Sequence, residues 1–164
     1  MVHYKNPLLV LGCVPEWQSK ILLCRRAIEP RRGFWTLPAG YLELDETLEE
    51  GAAREAMEEA QAAIAIDGIL AVFSIARIGQ VQVIFRARFT DTGAPRFAAG
   101  PESLEVGLFA WDGIPWDAIA FPSARWALNA WRQAGTGMLG APFGNPSDDR
   151  RGVSRIGAIP EAGL

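Results

Sequence analysis

Apolar residues in this chain form two kinds of pattern. In the first, they are continuous or alternate with polar residues, and in the second, they recur at helical spacing. Five segments of the first kind predict β-strands, at residues 8–14, 20–24, 65–75, 80–89 and 103–111. Two segments of the second kind predict α-helices, at residues 47–61 and 122–133. Residues 15–19 predict the turn between the first two strands. The order of strand, strand, helix, strands and helix predicts an α/β sandwich.

The first predicted helix carries acidic residues on one side. Thr47 and Glu50 match a capping box, which places the start of the helix near Thr47. Glu55, Glu58 and Glu59 are spaced i, i+3 and i+4, so they lie within one arc with no cation among them. A second arc is expected to face a core, and it contains Ala53, Ala56, Met57, Ala60 and Ile64.

The acidic arc predicts a site for divalent cations. Like charges at i, i+4 destabilise a helix by roughly a few tenths of a kcal/mol, so a compensating ligand is expected. Carboxylate oxygens are the ligands that hard cations such as Mg²⁺ require. Arg54 lies beside the arc, where it can pair with Glu46, Glu50 or Glu58 and orient the glutamates without binding the metal. The alternative is a solvated acidic face of the helix.

The helix and the loop before it resemble the signature of a known enzyme family. Six residues match the Nudix box of the Nudix hydrolases in type and spacing, and these are Gly40, Glu46, Arg54, Glu55, Glu58 and Glu59. Gln61 stands where the family pattern has its final glycine. The resemblance implies a Nudix-type α/β/α sandwich with a mixed sheet, and residues 1–135 are the expected domain. Residues 136–164 are rich in Gly and Pro and are expected to form a flexible or draped extension.

Segments outside the box resemble one subgroup, whose members act on ADP-ribose or FAD. The similar segments are Tyr4–Pro7, Pro15–Trp17, Cys24–Gly33 and Ile114–Asp117. Many members of this subgroup carry a zinc ribbon before the Nudix domain, but this chain has no Cys-x-x-Cys. Cys13 and Cys24 are expected to be buried core thiols, and His3 has no partner for zinc. A zinc ribbon is therefore expected to be lost, or to lie upstream of the start.

The resemblance also implies roles for the residues of the box. Glu55 and Glu59 are the implied principal ligands of Mg²⁺, for which Mn²⁺ can substitute. Glu58 shares or bridges the metal ions, and the backbone carbonyl of Ala39 or Gly40 completes the ligand shell. The residues expected to act in catalysis are Arg54, Glu55, Glu58, Glu59 and Glu105.

The general base is expected outside the box. Glu102 and Glu105 lie close to the start of a predicted strand, from which either carboxylate could reach the metals. Glu105 is preferred, because the resembled subgroup places a Glu-Val pair before this strand. An exposed loop carboxylate without a catalytic role is the alternative.

Arginines and aromatic residues near the box are candidates for substrate binding. Four arginines lie within residues 25–32, and a guanidinium can bind a phosphate through two hydrogen bonds. Arg25 and Arg31 are the predicted phosphate ligands. Trp17 and Tyr41 are the predicted stacking partners of adenine or flavin, although Trp17 could instead pack against a second subunit.

Length and composition narrow the class of protein. The 164 residues are 49% hydrophobic, which fits one domain with a sizeable core. The net charge of −3 provides no basic field for nucleic acid. No apolar stretch reaches the ~18 residues of a membrane span, and two unpaired cysteines fit a reducing compartment, so the expected location is the cytoplasm. Dimers are common in the resembled family, and a homodimer is one expected assembly.

The sequence therefore predicts Mg²⁺-dependent hydrolysis of the pyrophosphate bond in a nucleoside diphosphate that is linked to another group. ADP-ribose and FAD are the preferred substrates, with AMP as one product. One alternative keeps the chemistry and changes the substrate to NADH or a nucleoside triphosphate. Another is a nucleotide-sensing domain of the same fold that binds without turnover.

Overall fold

Residues 5–155 are described by the computed structural model, and their strands form one mixed sheet. The strands are β1 (Leu8–Trp17), β2 (Lys20–Arg26), β3 (Trp35–Thr36), β4 (Ala39–Tyr41), β5 (Ile64–Ile75), β6 (Gln80–Phe89) and β7 (Ser103–Phe109). The α-helices of this part of the chain are α1 (Leu48–Ala60) and α2 (Pro122–Ala134). The strand order is β3-β2-β1-β6-β5, with β4 paired to β1 and β7 paired to β2. β1 and β6 run parallel, whereas the other pairs are antiparallel.

The two helices cover opposite faces of the sheet. Ala52 and Ala56 of α1 pack on one face in an apolar cluster with Phe85. Leu128 of α2 packs on the other face in a cluster with Phe73. Side chains alternate between the faces along each strand, so both clusters draw on the same strands. The predicted α/β sandwich with a mixed sheet is confirmed.

The first hairpin is tighter than the sequence predicted. β1 continues through Pro15 to Trp17, and Trp17 pairs with Lys20. The turn therefore consists of Gln18 and Ser19, whose φ angles are 48° and 64°. A two-residue turn with two positive φ angles matches the right-handed twist of the flanking strands. The sequence predicted a longer turn because a proline usually marks the end of a strand. That prediction is wrong, since β1 includes Pro15.

Helix α1 begins and ends close to its predicted bounds. The Thr47 hydroxyl caps its start by accepting a hydrogen bond from the Glu50 N–H at 3.1 Å. Gln61 ends the helix in the left-handed conformation, with a φ of 48°. Its N–H donates to the Met57 carbonyl, and the N–H of Ala62 donates to the Ala56 carbonyl. The turn after the helix is thus kept without the family's glycine, at a cost of about 1–2 kcal/mol for a residue with a Cβ.

The buried face of α1 differs from the prediction. Its buried residues are Gly51, Ala52, Glu55, Ala56 and Ala60. Met57 is 48% exposed, so the prediction that it faces a core is wrong. Helical spacing defines an apolar arc, but it does not tell which edge of that arc meets the sheet. In this fold, β4 packs against Glu55, and Met57 is left exposed.

A β-bulge interrupts the pairing of β2 with β7. Glu105 is the partner of Arg25, and Ser103 is the partner of Arg26, so one extra residue lies between them on β7. The Ser103 hydroxyl consequently donates to the Glu59 carbonyl of α1 at 2.8 Å. The Glu105 carboxylate instead pairs with Arg25.

The segment after α2 follows the open edge of β5. Phe143 exchanges backbone hydrogen bonds with Leu70 and Val72, and the Asn145 side chain bonds both backbone groups of Ser74. The Asp149 carboxylate, in a residue that is 5% exposed, accepts from N–H groups of residues 153 and 154. These hydrogen bonds hold the pKa of Asp149 below its usual range.

The division between a domain at 1–135 and an extension at 136–164 stays a prediction. His3 and residues 156–164 lie outside the described residues. Neither α-helix of the described segment has the length and apolar character that a membrane crossing requires.

Candidate active site

Two glutamates of α1 meet the backbone of β4. Glu55 is buried, with 8% of its surface exposed, although it carries a carboxylate. The Glu55 carboxylate lies so close to Gly40 that a Cβ at this position would overlap both carboxylate oxygens. Glu59 lies one helical turn further along and is hydrogen-bonded to Glu55. The box glycine therefore provides the space into which the first carboxylate fits.

The Glu55–Glu59 pair concentrates negative charge in a partly desolvated place. Burial and the charge of Glu55 raise the pKa of Glu59 to about 9. Burial also raises the pKa of Glu55, although Arg54 opposes this shift. The backbone of Ala39 and the charge of Arg26 act in the opposite direction on the pKa of Glu59. Two carboxylates in such a site are stable together when they share a proton or bind a cation.

Arg54 connects the loop before α1 with the carboxylates of the helix. Its guanidinium holds Glu46 through two hydrogen bonds of 2.9 and 2.7 Å, and this pairing lowers the pKa of Glu46 to about 2. Further bonds reach the Tyr41 carbonyl at 3.0 Å, Glu55 at 2.8 Å and Glu58 at 3.2 Å. Arg54 thus pairs with Glu46 and Glu58, two of the partners that the sequence suggested. It also fixes one oxygen of Glu55, a contact that the sequence did not indicate.

Glu58 does not join the buried pair. Its side chain is 58% exposed and is drawn to Arg54, four residues earlier. Within residues 5–155, no group of three or more His, Cys, Asp or Glu side chains is arranged to hold a metal. Glu58 as a metal ligand therefore stays a prediction, and the cation that contacts the acidic arc in this structure is the guanidinium of Arg54.

The remaining pair still suits magnesium. Mg²⁺ commonly binds one or two carboxylates, and water and substrate phosphates fill its other positions. Glu55 and Glu59 supply two carboxylates, and the close approach of Gly40 brings backbone carbonyls of β4 near them. The chemistry of these donors therefore fits a hard divalent cation, whereas a purely protein-made cage is not present in the described residues.

A shallow depression extends from Glu59 along the end of β2. It is lined by Cys24, Arg26, Ile28, Thr36, Glu59, Glu102 and Ser103. Sequence inspection named Glu102 as the alternative base and did not select Arg26. The alternation of β2 could have found Arg26, because it lies two residues after the core residue Cys24 and so shares its face.

The two candidate bases have different surroundings. Glu102 lines the depression together with Glu59. Glu105 lies beyond the bulge, and its carboxylate forms an ion pair of 3.3 Å with Arg25. Val106, next to it on β7, packs in the cluster on the α1 side, so the alternation of the strand directs Glu105 to the opposite face. The geometry favours Glu102 over Glu105.

The four predicted substrate residues also have contacts within the fold. Besides its pair with Glu105, Arg25 donates to the Gly33 carbonyl at 2.9 Å. Arg31 donates to the Ala120 carbonyl at 2.9 Å. Trp17 packs half-buried against an apolar cluster, while Tyr41 is 53% exposed and its hydroxyl accepts from Gln80. Their roles in substrate binding stay predictions.

The cysteines behave as expected for core residues. Cys13 and Cys24 are free and buried. Burial raises the pKa of both thiols, so neither is poised to act as a thiolate.

Comparisons with known proteins place this site in a family. The model of the NUDIX domain matches residues 8–127. An ADP-ribose pyrophosphatase of Methanocaldococcus jannaschii is 30% identical over 113 residues, which are 68% of this chain and 67% of that protein. A MutT-like protein of Streptomyces ambofaciens is 39% identical over 79 residues, which are 48% of this chain and 49% of that protein. The match thus spans about half the length of the Streptomyces relative.

A solved structure agrees with the family match. The crystal structure of a NUDIX hydrolase from Nitrosomonas europaea superposes with a TM-score of 0.78 at 44% identity, covering 88% of this chain and 81% of that one. The matched residues include the whole of α1, the Gly40 loop and the strands around them. The chain therefore belongs to the Nudix hydrolase family.

Proposed function

We propose that this protein hydrolyses the pyrophosphate bond of a nucleoside diphosphate that is linked to a second group, with ADP-ribose or FAD as substrate. The observation that carries the proposal is the Glu55–Glu59 pair, held against Gly40 and flanked by Arg54. The name of the Methanocaldococcus relative, an ADP-ribose pyrophosphatase, supports the substrate class.

The carboxylate pair is the proposed place of the metal. Glu55 and Glu59 would bind Mg²⁺, or Mn²⁺ as its substitute, and a backbone carbonyl of Ala39 or Gly40 is the proposed additional ligand. When bound, the cation would neutralise charge on the diphosphate. Glu58 as a further ligand remains a prediction, because this side chain would first have to leave Arg54.

The proposed reaction needs one water molecule and one base. Attack of water on a phosphorus forms a new P–O bond and breaks the bridging P–O bond. ADP-ribose then gives AMP and ribose 5-phosphate, and FAD gives AMP and FMN. Glu102 is the base that we assign, since this residue lines the depression together with Glu59 and its carboxylate could accept a proton from the water.

A substrate panel tests the proposed function. ADP-ribose, FAD, NADH, a diadenosine polyphosphate and nucleoside triphosphates are each incubated with the protein and Mg²⁺, and products are separated by chromatography. We expect AMP from ADP-ribose or FAD, and we expect EDTA to abolish its release. Tight binding of ADP-ribose without any product would contradict hydrolysis and favour the sensing domain. Product from nucleoside triphosphates alone would contradict the substrate class.

The assignment of the base is tested by a pair of matched variants. Glu102→Gln is expected to lower kcat by about 10²–10⁴-fold with little change in KM, because removal of a general base affects the transition state. Glu105→Gln is expected to have the smaller effect on kcat, since this residue faces Arg25. If Glu105→Gln lowered kcat more than Glu102→Gln did, the base would be Glu105.

A further inference from the structure

We propose that Arg26 is the arginine that binds the diphosphate of the substrate, and that Phe121 positions it. The inference deepens the proposed function and rests on it. The initial expectation selected Arg25 and Arg31 from the same basic loop, on sequence proximity to the box. The surroundings of each arginine in the fold select Arg26 instead.

Arg26 and Arg25 lie on opposite faces of β2. Cys24 packs beneath α1 in a cluster with Ala60, and Arg26 lines the depression on that same side together with Glu59. Arg25 pairs with Glu105, which lies on the opposite face. A phosphate held at the Glu55–Glu59 pair would therefore meet Arg26 along the depression.

The guanidinium of Arg26 is held in place on one side and open on the other. Its Nε donates to the Pro30 carbonyl at 2.8 Å, and its carbon atom Cζ lies 5.0 Å from the centre of the Phe121 ring. Among residues 5–155, the two terminal nitrogens of Arg26 have no hydrogen-bond or carboxylate partner. An arginine that is already ordered loses less rotamer freedom when it binds a ligand.

The neighbouring arginines have partners of their own. Arg54 is bound to Glu46, and Arg25 forms an ion pair with Glu105. Arg32 donates to the Ala27 carbonyl. Arg31 has one backbone hydrogen bond and one ring contact, as Arg26 does, but it does not line the depression. Arg26 is thus the arginine of the depression whose donors are available to an anion.

The charges of the depression indicate the chemistry of that anion. Glu59 and Arg26 both line the depression, and within the described residues they form no ion pair. A diphosphate bridges such an arrangement well, because one phosphate can meet a cation held by the glutamates while the other accepts two parallel hydrogen bonds from a guanidinium. A neutral ligand would leave the guanidinium without a partner.

The probe for this inference is α,β-methylene-ADP, a diphosphate whose bridging oxygen is replaced by carbon. Its binding in the presence of Mg²⁺ is measured by calorimetry for the wild-type protein and four variants. Arg26→Gln is expected to weaken binding by about 10- to 100-fold, as loss of a charged hydrogen-bonding group does. Arg26→Lys is expected to restore part of the affinity, because an ammonium keeps the charge without the two parallel donors.

Two further variants test whether Phe121 positions the Arg26 guanidinium and whether any arginine of this segment would serve. Phe121→Leu is expected to weaken binding by about 2- to 5-fold, through the loss of the contact between the ring and the guanidinium. Arg32→Gln, in the same loop, is the matched control and is expected to bind like the wild type. Mn²⁺ affinity, measured without nucleotide, is expected to be equal in the wild type and Arg26→Gln, which shows that the variant retains the metal site.

Each outcome bears on the inference separately from hydrolysis. Equal analogue affinity in Arg26→Gln and the wild type would overturn it, even if AMP release from ADP-ribose were normal. Absence of analogue binding by the wild type would also overturn it. Arg26-dependent binding without AMP release would contradict the proposed function and support the role of Arg26.

Discussion

Glu59→Gln is expected to lower kcat for AMP release by about 10³-fold or more, because it removes a carboxylate from the pair that would hold the cation. The substitution replaces one oxygen with nitrogen and changes neither the size nor the shape of the side chain. An amide is a far weaker ligand for Mg²⁺ than a carboxylate, so turnover should remain low even at high Mg²⁺ concentration. Steady-state kinetics with ADP-ribose or FAD measure the effect, and an unchanged kcat would contradict the role of Glu59.

The stability of this variant distinguishes a functional loss from a loss of folding. Burial and the charge of Glu55 raise the pKa of Glu59 from 4.5 to about 9, so the folded protein without metal holds a proton that the unfolded chain releases. Ionisation of Glu59 therefore opposes folding, and metal-free wild type should lose stability as the pH rises from about 4.5 to about 9. Glu59→Gln should remove this loss, so the variant should be at least as stable as the wild type at neutral pH. Urea unfolding in EDTA measures both proteins, and a large destabilisation of the variant would contradict this explanation.

Gly40→Ala is the second change with a large expected effect. The new Cβ would overlap the position of the Glu55 carboxylate, so the glutamate would have to turn away from Glu59. A displacement of about 1 Å in a catalytic group can reduce the rate by about 10²-fold, and we expect a loss of that size or larger in kcat/KM. Overpacking between β4 and α1 should also cost about 1–3 kcal/mol in the free energy of unfolding.

A second glycine serves as the control for Gly40. A Cβ added to Gly93 has no atom within 4 Å, and this residue lies in the loop after β6. Gly93→Ala is expected to leave kcat/KM within about twofold of the wild type and stability within about 0.5 kcal/mol. Equal activity in Gly40→Ala and Gly93→Ala would show that the close approach of Gly40 to Glu55 is not required.

Local patterns in the sequence were sufficient for several elements of the fold. β6 has the predicted bounds, and α1 differs from its prediction by one residue at each end. Both segments have a regular period, and α1 also has Thr47 as a capping residue, so local propensity and tertiary packing agree. Helical spacing placed Glu55, Glu58 and Glu59 in one arc, and the family resemblance singled out Glu55 and Glu59, the two carboxylates that lie together in the fold.

The remaining features depend on contacts that no local pattern contains. The burial of Glu55 in place of Met57 follows from the side on which β4 meets the helix. The placement of Ser103 against α1 follows from one extra residue in β7, which reverses the alternation of side chains between Glu105 and Ser103. The choice of Arg26 among four nearby arginines follows from its place in the depression beside Glu59, a residue far away in the chain. Sequence distance to the box cannot rank these arginines.

Mn²⁺ binding measured by electron paramagnetic resonance tests the central claim most directly, because it detects the metal site without any substrate. The wild-type protein is expected to bind Mn²⁺, and Glu55→Gln and Glu59→Gln are each expected to weaken that binding by at least about tenfold. Glu49→Gln, which removes an exposed carboxylate from the first turn of the same helix, should bind Mn²⁺ like the wild type. Equal Mn²⁺ affinity in the wild type and in both pair variants would contradict the assignment of this glutamate pair as the metal site.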